Sequence, residues 1–70
     1  MLTNVAPGRL SPRQGEILAL LGQGILARDI AVRLGLSETT VRNHIRAMLH
    51  RLGCHSQLEA VARAREWGLL

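Results

Sequence analysis

Apolar residues recur along most of this chain at spacings of three and four, the period of an amphipathic α-helix. Residues that start and end helices bound each apolar stretch. Ser11, Pro12 and Gln14 combine an N-cap, a proline at the first helical position and a glutamine three residues after the cap. Gly22 can end this helix. The pattern therefore predicts a first helix over residues 12–22.

The next two helices are predicted over residues 27–34 and 38–52, with Gly35, Leu36 and Ser37 between them. Gly35 suits a left-handed C-cap, and Ser37 suits an N-cap. Two helices joined by so short a glycine-containing turn are typical of the helix-turn-helix motif.

A fourth helix is predicted over residues 57–67, because Ser56 and Glu59 have the spacing of a capping box. The expected fold is thus all-α, a compact four-helix domain over residues 10–70 that contains a helix-turn-helix. Residues 1–9 lack periodicity and are interpreted as a flexible leader or linker remnant.

The composition agrees with a helical core and a polyanionic partner. The chain has 70 residues, 47% of them hydrophobic, and its one aromatic residue is Trp67. The net charge of +4 favours nucleic acid or an acidic membrane surface as partner. The sequence shows neither a membrane-spanning run nor a signal peptide, so we expect a cytoplasmic protein.

The third predicted helix has an apolar side and a polar side. At 100° per residue, the apolar stripe consists of Val41, Ile45, Met48, Leu49 and Leu52. The opposite side carries Thr39, Asn43, Arg46 and His50, with Arg42 on its flank and Glu38 as the nearby acid. Arginine is the usual bidentate partner of guanine and asparagine of adenine, whereas threonine suits a phosphate or a thymine methyl. This side is therefore predicted to read double-stranded DNA in the major groove.

The chain resembles the LuxR/GerE-type helix-turn-helix domain in three stretches, which read LSPRQGEILALLGQG, RDIAVRLGLSETTVRNHIRAMLHRLG and SQLEAVARAREWGLL. Members of this family are the output modules of many response regulators and quorum-sensing receptors. The resemblance implies that helices two and three form the DNA-binding unit and that helix four supports dimer contacts. It places base-reading residues at Arg42, Asn43 and Arg46. It places phosphate contacts at Thr39, Thr40 and Arg51.

Three further residues are expected to contact phosphates. Arg28 lies in the first turn of a helix that should cross the DNA backbone, Ser37 lies at the turn, and His50 lies at the edge of the polar face. The chain departs from the family pattern at Leu26, where a small hydroxyl residue usually caps helix two. It also departs at Gly15, Leu58 and Trp67.

The fourth predicted helix has two apolar sides, and a domain of this size can bury one of them. We expect Ala60, Ala64 and Trp67 to pack inward, with Val61 at the boundary. The other side is predicted to form a small patch that meets its two-fold copy, and this patch consists of Leu58, Ala62 and Arg65. So small a patch predicts a domain that is mainly monomeric in solution and dimerises on DNA.

Other chemistry has weaker support in the sequence. The spacings of His44, His50, Cys54 and His55 do not suit one ion, so no metal or other cofactor is expected. Cys54 is interpreted as a small apolar residue, with a redox-sensing thiol as the alternative. No nucleophile, base and acid converge on a pocket, so catalysis is not expected.

The sequence therefore predicts a sequence-specific DNA-binding transcription regulator that binds a two-fold site as a dimer. The alternative is a helical protein-interaction module that docks on RNA polymerase or another regulator. An acidic-membrane binder is the third reading, but no helix pairs a basic face with a broad Trp- or Phe-rich one.

Overall fold

The computed structural model describes residues 10–70, and the leader expected over 1–9 lies outside the described residues. The described residues form four α-helices and no strand: α1 Pro12–Gly22, α2 Ala27–Leu34, α3 Glu38–Leu52 and α4 Gln57–Glu66. The all-α, four-helix fold class is confirmed. Helix α4 ends one residue before the expected position, because Trp67 is its C-cap.

The predicted caps at α1 and α2 are present. Ser11 Oγ accepts a hydrogen bond from the Gln14 N–H at 3.1 Å, and Gln14 Oε1 accepts one from the Ser11 N–H at 3.0 Å. Gly35 ends α2 in the left-handed conformation at φ 68°, which glycine adopts without a Cβ clash. The N–H of Leu36 then donates to the Ala31 carbonyl at 2.9 Å, which closes the turn before α3.

The capping box expected at α4 is only half formed. Ser56 Oγ accepts from the Glu59 N–H at 3.1 Å, but Glu59 Oε1 accepts from the His55 N–H at 2.8 Å and not from Ser56. The backbone explains the correction. Ser56 has φ −152°, whereas Ser11, whose box is complete, has φ −70°. Because φ sets where the cap residue's own N–H points, the Glu59 carboxylate meets the preceding N–H instead.

Helix α3 lies at the centre of the fold and contacts each of the other three helices. Its apolar stripe is buried, with Leu49 partly exposed at the edge. The residues that share the core with it are Ile17, Leu18, Ala27, Ile30, Ala31, Cys54, Ala60 and Ala64. Burial on this scale fixes the rotation of α3 about its axis, so the opposite side of the helix must face outward.

Helix α4 and the residues after it contact the end of α1. Arg65 Nη2 donates to the Gly22 carbonyl at 3.0 Å, and the Leu70 side chain packs over Gly22. Leu10 and Leu69 line the same shallow hollow of about 270 Å³ as Leu70. Residues 10–70 include no helix that is both long and apolar enough to cross a membrane.

Candidate nucleic-acid interface

Two hydroxyl side chains fix the start of α3. Ser37 Oγ accepts a hydrogen bond from the Thr40 N–H at 3.0 Å and lies 2.9 Å from Thr40 Oγ1, to which it donates. The Thr40 hydroxyl keeps its own proton as a donor. Ser37 and Thr40, two of the residues expected to contact phosphate, thus also set the first turn of α3.

The side of α3 opposite the core presents most of the expected DNA-contacting residues to solvent. Thr39, Arg42, Asn43, Arg46, His50 and Arg51 are exposed, and Thr40 is partly buried. At 100° per residue, Asn43 lies near the centre of this face, while Arg42 lies toward its flank. The face is polar, carries three arginines, and is backed by a buried apolar stripe.

Two of the three expected base-reading residues contact each other. Arg46 Nη1 donates to Asn43 Oδ1 at 3.1 Å, and both side chains are exposed. This bond uses one of the two lone pairs of the Asn43 amide oxygen, so that oxygen can still accept, and the Asn43 NH₂ group and the remaining guanidinium donors of Arg46 stay available. The pair therefore offers several donors and one acceptor, which suit the edges of guanine and adenine.

The third expected base-reading residue, Arg42, is held by Glu38. Glu38 Oε2 accepts from Arg42 Nε at 2.9 Å and from Arg42 Nη2 at 2.6 Å. Glu38 was expected only as an acid near the polar side, and its pairing with Arg42 was not predicted. The signal was present, since a glutamate four residues before an arginine on a helix is the favourable order for an ion pair.

Arg28 lines the same open groove as Glu38 and Arg42. The groove has a volume of about 630 Å³ and lies where the starts of α2, α3 and α4 meet. Arg28, Glu38 and Arg42 line it together with Leu26 and Leu58. Leu26 begins α2 without a side-chain cap, as expected from its lack of a hydroxyl group. The fold thus brings Arg28 close to the flank of α3, while Arg51 lies in the last turn of that helix.

The outward side of α4 carries the patch expected to meet a second copy. Leu58 is 81% exposed, Ala62 is exposed, and Ala60 and Ala64 are fully buried on the other side. Arg65 is also exposed, but its guanidinium donates to α1, a contact that sequence reasoning missed. No local signal could reveal that contact, because 43 residues separate its two partners.

Two observations on the titratable groups bear on metal binding and on the chemistry of Cys54. Among residues 10–70 no three His, Cys, Asp or Glu side chains are placed to hold a metal ion. Burial raises the pKa of the Cys54 thiol, and the nearby Glu59 carboxylate raises it further against the opposing charge of Arg63. A raised pKa keeps the thiol protonated, which agrees with the interpretation of Cys54 as a small apolar core residue.

A tight turn between α2 and α3, and a polar, arginine-bearing face on α3, define a small helix-turn-helix domain of the DNA-binding class. Comparison with known proteins agrees. A family model described as bacterial regulatory proteins, luxR family, matches residues 8–64. The chain belongs to this family, and it is a DNA-binding domain of the transcription-regulator class.

Individual relatives differ in how much of their length the chain covers. The chain is 41% identical over 54 residues to a probable HTH-type transcriptional regulator, GfsR, from Streptomyces halstedii. The matched region covers 77% of this chain but 22% of that protein. The chain is 40% identical over 52 residues to the nitrate/nitrite response regulator NarL of Escherichia coli, covering 74% of this chain and 24% of NarL. The spore germination protein GerE of Bacillus subtilis is 38% identical over 61 residues, which are 87% of this chain and 82% of GerE.

Proposed function

We propose that this chain recognises specific DNA sequences by placing α3 in the major groove, where Arg42, Asn43 and Arg46 read base edges. The observation that carries the proposal is the exposed Asn43–Arg46 pair, centred on the face that the buried stripe turns outward. An arginine and an asparagine in this position can donate to guanine and adenine acceptors. The chemistry proposed is binding alone, without catalysis.

Phosphate contacts are proposed for the residues that surround this pair. They are Arg28, Ser37, Thr39, Thr40, His50 and Arg51, which lie on the first turn of α2, the turn before α3 and the exposed side of α3. Such contacts set the position of a recognition helix on the duplex without reading sequence. The proposal therefore divides the interface into a central reading group and a surrounding positioning group.

The test compares two arginines on the same helix. The best duplex is first selected from a random-sequence pool, and binding to it is compared with binding to a random-sequence duplex of equal length. Arg46→Ala is expected to cost about 1–3 kcal/mol on the selected duplex and much less on the random one. The matched control Arg51→Ala removes the same charge and is expected to weaken both nearly equally. An unchanged ratio of the two affinities in Arg46→Ala would contradict the reading role.

A salt titration separates DNA binding from the alternative of docking on RNA polymerase or another regulator. Each phosphate neutralised contributes a slope of about −0.9 to log affinity against log salt. With three to five arginines facing DNA, we expect a slope between roughly −2.7 and −4.5 for one domain. A slope near zero would favour the protein-interaction module.

We further propose that two copies bind a two-fold DNA site through the patch of Leu58, Ala62 and Arg65 on α4. The exposed Leu58 and Ala62 support this, since an apolar pair at the surface can pack against its own copy. The patch is far below the roughly 1,200 Å² of a stable interface, so dimerisation is expected on DNA and not in solution. Half-sites about one helical turn apart would provide the effective concentration.

A further inference from the structure

The ion pair between Glu38 and Arg42 lies inside the proposed interface. We infer that Glu38 is a positioning residue for DNA reading: it holds Arg42 in the orientation that meets a base edge and keeps it from the nearest phosphate. This inference rests on the proposed function, and it assigns to the one acidic side chain on this flank of α3 a role in selectivity.

The geometry of the pair supports an orienting role. An arginine guanidinium offers two edges for bidentate bonding, the Nε–Nη2 side and the Nη1–Nη2 end. Glu38 Oε2 accepts from both Nε and Nη2, at 2.9 and 2.6 Å, and so occupies the side edge. The end edge is left for a second bidentate partner. The O6 and N7 atoms of guanine are such a partner.

The position of the pair on the helix favours Glu38 as the partner of Arg42, with both side chains about half exposed. Glu38 is the first residue of α3, four residues before Arg42, so its charge lies at the positive end of the helix and one turn below the arginine. Both partners line the groove between α2 and α4, and Arg42 also lines a smaller one beside Arg46. Arg42 therefore lies on the flank of α3 and borders both grooves.

Electrostatics gives the pair a second effect. A paired Arg42 carries little net charge toward phosphate, so it adds little to the attraction that every DNA sequence exerts. Without the carboxylate, the same guanidinium can swing to the nearest phosphate, because exposed arginine side chains are mobile and phosphates accept bidentate bonds from them. Loss of Glu38 therefore raises affinity for random DNA more than affinity for the best site.

The experiment measures the 70-residue chain on the selected and the random duplexes across a range of salt concentrations. Glu38→Gln is expected to raise random-duplex affinity roughly three- to tenfold at about 0.1 M salt and to steepen the salt slope by about 0.9, the value for one added phosphate contact. The ratio of selected to random affinity is expected to fall at least about threefold. Glu38→Ala also removes the neutral hydrogen bond that glutamine could still form, and its ratio is expected to fall further.

Two controls isolate the pair. Glu16→Gln breaks a similar exposed pair, Arg13–Glu16 on α1, and changes the net charge equally, so its effect measures the contribution of charge alone. In the Arg42→Gln background, Glu38→Gln is expected to leave the ratio unchanged, because the residue acts through Arg42. A persisting loss in that background would overturn the inference.

The two proposals fail in different ways. If the unchanged chain shows no preference for its selected duplex, sequence reading fails and the inference fails with it. If that preference is present but Glu38→Gln leaves the affinity ratio equal to that of Glu16→Gln, sequence reading stands and the positioning role of Glu38 is wrong.

Discussion

The two sides of α3 are determined by different physics, although they alternate along one stretch of fifteen residues. On the inner side, Val41, Ile45, Met48 and Leu52 are at most 4% exposed, and α3 contacts all three other helices. On the outer side the contacts are hydrogen bonds within one turn, such as Arg46 to Asn43. The inner side therefore supplies stability, and the outer side is the one proposed to supply binding. Substitutions should separate the two properties.

The largest effect is expected from a cavity on the inner side. Met48→Ala deletes a fully buried side chain, which typically costs about 2–5 kcal/mol, a large part of the stability of a domain this small. Chemical denaturation followed by circular dichroism measures the loss. The control, Leu58→Ala, deletes an apolar side chain that is 81% exposed and is expected to change stability by no more than about 0.5 kcal/mol. Equal losses in the two variants would contradict the assignment of sides.

A second prediction tests an apolar residue that lies outward. Leu58→Glu is expected to leave the fold intact and, beyond any loss that its charge beside Arg28 and Arg42 causes at one half-site, to lower affinity for a two-fold duplex by about a hundredfold or more, because linked binding events strengthen each other by factors of about 10²–10⁴. Gel-shift titration on one and two half-sites measures it. Cooperative binding equal to that of the parent would place the dimer contact elsewhere.

Stability can also be raised without touching the outer side of α3. Gly15 lies within α1, and a Cβ added there meets no atom within 4 Å. Gly15→Ala is therefore expected to stabilise the domain by about 0.5–1 kcal/mol and to raise Tm by several degrees. Affinity for the selected duplex should stay unchanged. A changed affinity at constant salt would show that folding and binding are not separable in this domain.

The smallest expected effect is on the pH dependence of stability, through Glu59. The hydrogen bond from the His55 N–H lowers the pKa of Glu59 below its ordinary value of 4.5; desolvation opposes this shift, and the charge of Arg63 adds to it. A lowered pKa in the folded state gives stability that is complete above that ordinary value and is lost as pH falls through the lowered one. Glu59→Gln should thus lose stability near neutral pH and approach the parent at low pH. Thermal melts from pH 7 to pH 2 test this, with Glu16→Gln as the baseline for losing one exposed acid.

The sequence predicts this fold well because its signals are local. Ser11 with Gln14, and Gly35, act within four residues of themselves, so the pattern alone predicts their helix ends. The outcome at Ser56 depends on a backbone angle, and spacing does not determine that angle. The contact of Arg65 with Gly22 depends on how α1 and α4 pack, which no local pattern contains.

The candidate site divides in the same way. Helical period alone predicts which side of α3 faces outward, so the exposure of Asn43 and Arg46 follows from the buried stripe. The direction of each long side chain does not follow from period, because it depends on competition among partners. Arg42 is the exception, since the four-residue spacing from Glu38 already indicates the ion pair that its guanidinium forms.

The hydrogen bond between Arg65 and Gly22 bears on how the order of the helices along the chain could be changed. Together with the packing of Leu70, it brings the last described residue onto the first helix, where Leu10 and Leu70 line one hollow. A short peptide linker is therefore expected to join positions 10 and 70, and a circular permutant opened between the exposed residues His55 and Ser56 would keep the hydrogen bonds of Gly53 and Cys54 that end α3. In such a permutant α4 would precede α1 in sequence while the order in space stayed the same.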